Sequence, residues 1–169
     1  MADQVSITLS ESRLSMTAGT PPVAVEITVA NRQQVVDEFV ISVAGGQPDW
    51  YDLSKDKVPL FPDESAKVIL RLHPPQRWDV QAGETTLTVT AQSRADVSLS
   101  TTATLVVLIS PTGGFQAELF RSEATGNEGV FILRLANQSN APMSFAITGS
   151  DPAGALEFVI PEQQAAAHH

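Results

Sequence analysis

Apolar and polar residues alternate along most of this chain. Val23, Val25, Ile27 and Val29 are separated by Ala24, Glu26 and Thr28, and Phe39, Ile41 and Val43 keep the same odd parity. Leu87, Val89 and Ala91 alternate with Thr86, Thr88 and Thr90, and Leu99, Ala103, Leu105, Val107 and Ile109 extend the pattern. A period of two marks strands with one buried and one wet face, as in antiparallel sheets. The pattern predicts strands at residues 5–10, 12–17, 23–31, 36–44, 57–61, 65–73, 84–93 and 98–109. Turn residues punctuate them: residues 19–22, Gly45-Gly46-Gln47-Pro48, Pro62-Asp63, Pro74-Pro75 and Ala82-Gly83. Short strands at this spacing, with no helical period, predict an all-β fold with an immunoglobulin-like β-sandwich over residues 1–110.

The pattern then repeats. Ile27-Thr28-Val29-Ala30-Asn31 recurs as Leu133-Arg134-Leu135-Ala136-Asn137, and Phe39-Val40-Ile41-Ser42 as Phe145-Ala146-Ile147-Thr148. The spacing is 106 residues in both cases, 31 to 137 and 39 to 145. One constant offset is the sign of a tandem repeat, and a period of about a hundred residues suits a sandwich domain rather than a solenoid. Ser110 closes the first unit, and Pro111-Thr112-Gly113-Gly114 reads as a short linker. Residues 115–162 then read as a partial second Ig-like domain, with strands at 115–120, 129–137, 142–149 and 156–160. That is about half the first unit's length, so counterparts of the late strands are not expected. A sheet ending there leaves an open edge and an apolar face carrying Leu119, Phe131, Leu133, Leu135, Phe145, Ile147 and Phe158. Such a face is expected to be covered, by a second copy or by the first domain. Residues 163–169 read as a tail, in which Ala165-Ala166-Ala167-His168-His169 resembles a vector linker with part of a histidine tag.

Composition narrows the chemistry. The chain of 169 residues is 43% hydrophobic and 17% charged, with a net charge of −9. The acidity argues against nucleic acid or an anionic membrane as partner. No cysteine is present, which excludes disulfides, thiolate metal sites and cysteine catalysis. No apolar run approaches the roughly 18–20 residues of a membrane-spanning helix. The first residues, Met1-Ala2-Asp3-Gln4, enter a strand pattern without a signal peptide. As written, the chain reads as cytoplasmic; with a leader removed it would be surface-exposed or secreted.

Several segments together resemble a bacterial Ig-like family seen in cyanobacteria and actinobacteria. They are Ser6-Ile7-Thr8-Leu9-Ser10, Gly19, Val29-Ala30-Asn31, Val35-Val36-Asp37-Glu38-Phe39, Pro48-Asp49-Trp50, Leu60-Phe61-Pro62, Leu72-His73-Pro74-Pro75 and Ala82-Gly83. In the second unit they are Gly129, Leu135-Ala136-Asn137, Asn140-Ala141-Pro142 and Gly149-Ser150-Asp151-Pro152. The family is similar to NEW3 and CARDB-like sandwich modules, and its relatives carry further strands after the position of Pro161. Some members bear the label "hydrolytic protein", but the resemblance brings no catalytic residues with it.

The candidate sites are few. His73 is the one histidine outside the tail and stands at a strand end before Pro74-Pro75, with no Gly-x-Ser-x-Gly elbow anywhere. It reads as a structural histidine, and catalytic residues are expected to be none. The carboxylate pairs Asp49 with Asp52, Asp63 with Glu64, and Asp37 with Glu38 read as turn chemistry rather than a glycosidase pair. No cofactor or metal is expected, with calcium at Asp49, Asp52 and Asp56 as the alternative. Trp50, Tyr51, Arg77 and Trp78 form the candidate interaction surface; Trp50 reads first as a cap on the core. Asn31 and Asn137 read as strand-end residues that tolerate the left-handed conformation and bond their own turns. The reading is a non-catalytic structural or protein-interaction module. The alternative is a carbohydrate-binding or adhesion module, with exposed aromatics stacking on sugar.

Overall fold

The computed structural model describes residues 4–77 and 79–161. The chain forms two compact units, Met1–Thr112 and Gly113–His169. The described residues hold no α-helix, and no helix long and apolar enough to cross a membrane.

The first unit is an Ig-like β-sandwich with nine strands among its described residues. They are β1 (Val5–Leu9), β2 (Arg13–Thr17), β3 (Val23–Asn31), β4 (Asp37–Ala44), β5 (Tyr51–Leu53), β6 (Lys57–Leu60), β7 (Ser65–Leu72), β8 (Gly83–Ser93) and β9 (Ser100–Ser110). One sheet has the order β1-β3-β7-β5 and the other β2-β9-β8-β4-β6. All pairs are antiparallel except β2 with β9. The chain changes sheets after β1. Ser10 ties its N–H to the Glu26 carbonyl at 2.8 Å and accepts the Glu26 N–H on its hydroxyl at 3.0 Å. Two residues later the Ser12 carbonyl accepts Val106 N–H across the other sheet.

The alternation sorts the side chains as expected. Val25, Ile27 and Val29 of β3 and Val68 and Leu70 of β7 face inward with no exposed surface. They meet Phe39 and Ile41 of β4, Leu87, Val89 and Ala91 of β8, and Leu105, Val107 and Ile109 of β9 in one core. Each large side chain buried this way contributes roughly 1.5–3 kcal/mol. Pro59 lacks an N–H and lies in β6, an edge strand, where no outer partner needs that donor.

Strand β5 lies where the pattern showed only turn residues. It follows a single 3-10 turn, Pro48–Trp50, and pairs three residues with the end of β7. Three residues are too short for alternation to register.

The second unit has one sheet among its described residues, the antiparallel hairpin β10 (Phe115–Thr125) and β11 (Glu128–Asn137). Gly126 turns it with φ of 61°, and a bulge falls between Arg121 and Glu123. Segments 142–149 and 156–160, expected as strands, form none. Their apolar alternation supplies a face, but a strand also needs a neighbouring backbone, and no ladder reaches them. Asp151 between them organises a local turn instead, accepting N–H bonds from Ala153, Ala155 and Leu156. The first two of these bonds hold its carboxyl below the usual range.

The two units share a hydrogen-bond motif. The Asn31 amide oxygen accepts the N–H of Gln33 at 3.0 Å, and its NH2 donates to the carbonyls of Val35 at 2.8 Å and Leu60 at 3.1 Å. Asn137 accepts from Ser139 N–H and donates to the Ala141 carbonyl, both at 2.9 Å. The partners stand two and four residues on in both units. Each asparagine bonds its own turn as expected, without using the left-handed conformation open to it: Asp63, with φ of 59°, is the one non-glycine residue of positive φ among those described. The side-chain clamp itself closes the turn, so the backbone keeps extended geometry up to the strand end.

Candidate functional site

At one end of the first unit, the turn before β5 and the loop after β7 come together. Gly45 and Gly46 have positive φ of 96° and 63°, and a Cβ at Gly45 would lie 2.2 Å from the Thr86 carbonyl oxygen. A Cβ at Gly46 would lie 3.2 Å from the Trp50 ring, so glycine there leaves room for the indole to fold inward. The indole is 7% exposed and belongs to the core. Its ring N–H is buried without a hydrogen-bond partner, at a cost of about 1–3 kcal/mol. Tyr51 is half-buried, and its hydroxyl donates to the Val43 carbonyl at 3.1 Å. Trp78 lies outside the described residues. Of the candidate aromatics, Trp50 therefore offers no stacking face, and the Tyr51 hydroxyl is already bonded.

Arg77 is held by two carboxylates. Its guanidinium bonds Asp79 at 3.0 and 3.2 Å and Asp49 at 2.8 Å, and reaches the Gln47 side-chain oxygen at 3.3 Å. The hydrogen bonds to Asp79, and then those to Asp49, raise its pKa further against a desolvation effect. Beside this cluster is an open hollow of about 290 Å³, lined by Gln47, Trp50, Asp79, Gln81 and Glu84 among others. His73 Nε2 stands 3.2 Å from Asp52, which also pairs with Arg71 at 3.4 Å. The Ser54 hydroxyl accepts the Ile69 N–H at 2.9 Å. Asp49 and Asp52, read as calcium candidates with Asp56, thus both face cations. Among the described residues no three His, Cys, Asp or Glu side chains are grouped as metal ligands.

The remaining carboxylate pairs have local work. Glu64 accepts the Phe61 N–H at 2.8 Å, closing the turn at Asp63. Glu38 pairs with Arg94. Asp37 is buried and accepts four bonds: Ser93 hydroxyl at 2.5 Å, Gln33 side-chain NH2 at 2.9 Å, Glu38 N–H at 2.7 Å and Ala95 N–H at 3.4 Å. Burial raises its pKa, but the bonds from Ser93, Gln33, Glu38 and Ala95 outweigh it and leave the carboxyl below the ordinary range. A depressed folded-state pKa stabilises the fold fully above the unfolded value of about 3.9, and that stability is lost as pH falls through the folded value. The Asp37→Asn variant should therefore be less stable at neutral pH and lose less stability between about pH 4 and pH 2. Acid titrations followed by tryptophan fluorescence check this; parallel acid limbs would contradict it.

The larger candidate surface belongs to the second unit. The β10–β11 register sets Ala117 opposite Leu135 and Leu119 opposite Leu133 on one face, with Phe115 and Phe131 at its ends. Residues 131, 133 and 135 correspond by the repeat to Val25, Ile27 and Val29, which are fully buried. Here Leu119 is 67%, Phe131 56% and Leu133 38% exposed, while Leu135 and Phe145 are half-buried and Ile147 is exposed. The opposite face is mixed, with Phe120, Val130 and Ile132 exposed beside an ion pair. Glu118 stands opposite Arg134, their charges 3.9 Å apart, and the guanidinium lies 5.3 Å from the Phe120 ring centre.

Two features escaped the sequence reading. Phe115 packs edge-on against Phe145, ring centres 5.0 Å apart. It pairs with Asn137 as Val5 pairs with Asn31, an offset of 110 rather than 106 residues. The first unit inserts the β2 crossing between the paired strands and the second does not, so the repeat slips there. Val35, Val36 and Phe61 are also exposed, on loops that Asn31 bridges through the Val35 and Leu60 carbonyls. The adjacent Val35-Val36 pair, which breaks alternation, was the available signal.

No protein-family model matches the chain, and no curated protein matches it. Solved structures do share its fold. A FixG-related protein from Vibrio parahaemolyticus superposes with a TM-score of 0.51 at 17% identity, over 64% of this chain and 98% of that one. Native E. coli alpha-2-macroglobulin superposes with a TM-score of 0.50 at 12% identity, over 70% of this chain and only 7% of its own length. At these identities the likeness is one of fold, and the fold is an Ig-like β-sandwich.

Proposed function

We propose that the chain is a non-catalytic protein-interaction module whose binding surface is the second unit. The observation that carries this is the hairpin face at Phe131, Leu133 and Leu135. The equivalent positions of the first unit have no exposed surface. A face composed as a core but left in water is an association surface by its physics, since burial of each large side chain is worth roughly 1.5–3 kcal/mol. The chemistry-bearing groups of the first unit support the same reading. His73, Arg77, Asp37, Asp49 and Asp52 are each bound to protein partners. The carbohydrate alternative loses one of its aromatics, because Trp50 is in the core.

Two experiments test the reading. The full chain and its Leu133→Glu variant, each immobilised and exposed to an extract of the native host, should differ: a protein retained by the first is released by the second. Equal retention by both would remove the hairpin face as the surface. Esterase, peptidase and glycosidase substrates should be turned over at background rates. Hydrolysis that co-purifies with the chain and vanishes on one substitution would show it to be an enzyme.

A further inference from the structure

We infer that the free edge of β11 pairs antiparallel with β11 of a second copy of this chain, about a two-fold axis at Phe131. This rests on the second unit being an interaction surface and places a partner at the strand edge beside the apolar face.

The first unit shows what the edge lacks. There β3 has β1 on one side and β7 on the other, antiparallel, with Val25 opposite Leu70, Ile27 opposite Val68 and Val29 opposite Ala66. The equivalent strand β11 has β10 on one side and, among the described residues, no strand on the other. The two outer edges of the hairpin also differ. β10 carries Glu118, Arg121 and Glu123 and a bulge, which are devices that discourage edge pairing. β11 has neither bulge nor proline, and its stretch Gly129-Val130-Phe131-Ile132-Leu133 is uncharged.

The occupant follows from orientation and charge. The place that β7 fills is antiparallel, and identical strands related by a two-fold axis can pair only that way. Glu128 and Arg134 lie three residues either side of Phe131. An axis at Phe131 sets Glu128 opposite Arg134 of the partner subunit, twice, and Ile132 opposite Val130 of the partner subunit. Both ends of the seam then carry opposite charges, and its centre is apolar. Arg134 is well exposed and its contact to Glu118 is long, so beside its position over the Phe120 ring the guanidinium keeps N–H donors for this pairing. The four-stranded order β10-β11-β11-β10 reproduces the strand number and pairing sense around β3 in the first unit.

Light scattering on the full chain should give twice 18.0 kDa. Arg134→Glu should weaken the dimer at least tenfold, and adding Glu128→Arg should restore it. A contribution of Arg134 to the hairpin alone would show no such rescue. The chain has no cysteine, so Phe131→Cys should form a disulfide-linked dimer under mild oxidation while Glu118→Cys on β10 does not. A monomer up to about 100 µM, a dimer indifferent to Arg134→Glu, a failed charge swap, or faster linkage from Glu118→Cys would each overturn the inference. A monomer that still loses its extract partner on Leu133→Glu would overturn the second copy alone and leave the interaction surface standing.

Discussion

Replacing Phe39 by Ala should cost the first unit about 3–5 kcal/mol and lower its melting temperature by about 12 °C or more. Phe39 has no exposed surface and is the largest fully buried side chain of the core. It stands on β4, between β6 and β8, and faces the β3 and β7 residues across the sandwich. Truncation removes a ring that the neighbouring strands cannot collapse to fill, because each is pinned by its own ladder. A domain of this size has only about 5–15 kcal/mol in hand, so the loss is a large share. The counterpart Phe145 sits half-buried on the edge of Phe115. Phe145→Ala should cost about 0.5–1.5 kcal/mol at most, the scale of one aromatic pair. Trp50 and Trp78 both lie in the first unit, so tryptophan emission during thermal melts reads that unit alone. An unchanged melt for Phe39→Ala would mean that the core is not held where the burial places it.

The contrast between these phenylalanines also marks how far the sequence could be read. The eight strands seen in its alternation are present to within a residue or two, because each buries one face and the period of two records that directly. Inward and outward residues of β3, β4, β8 and β9 were legible for the same reason. Pairing was not. The parallel contact of β2 with β9 depends on the chain crossing between sheets after Ser10, and hydrophobicity carries no record of a crossing. Segment 142–149 shows the converse failure: Phe145 and Ile147 alternate as a strand would, yet no backbone pairs with them. At the first unit's candidate site, Trp50 reads from the sequence first as a cap on the core, and its ring is buried there. What the Gly45-Gly46-Gln47-Pro48 turn signal did not carry was the close packing there: a Cβ at Gly46 would lie 3.2 Å from the Trp50 ring. The apolar face of the second unit was legible because the first unit provides its template within the same chain.

The duplicated asparagine gives a matched test of what burial does to one hydrogen-bond motif. Asn31→Ala should destabilise the first unit by about 3 kcal/mol. The substitution leaves the Gln33 N–H and the Val35 and Leu60 carbonyls without their partner, at a position with no exposed surface. Water cannot replace a side chain that is fully enclosed, so the desolvation cost of those groups is felt. Asn137→Ala removes the same two local bonds, to Ser139 and Ala141, at an exposed position. Water can take up both partners there, and the expected cost is below about 1 kcal/mol. Chemical denaturation followed by tryptophan emission measures the first, and amide exchange at residues 128–141 measures the second. Asn31→Asp discriminates further. It keeps the acceptor for the Gln33 N–H but points a carboxylate oxygen at two carbonyls, so it should be at least as damaging as Ala. Near-equal costs for Asn31→Ala and Asn137→Ala would show that the motif acts through the turn alone, and that its burial in the sandwich adds nothing.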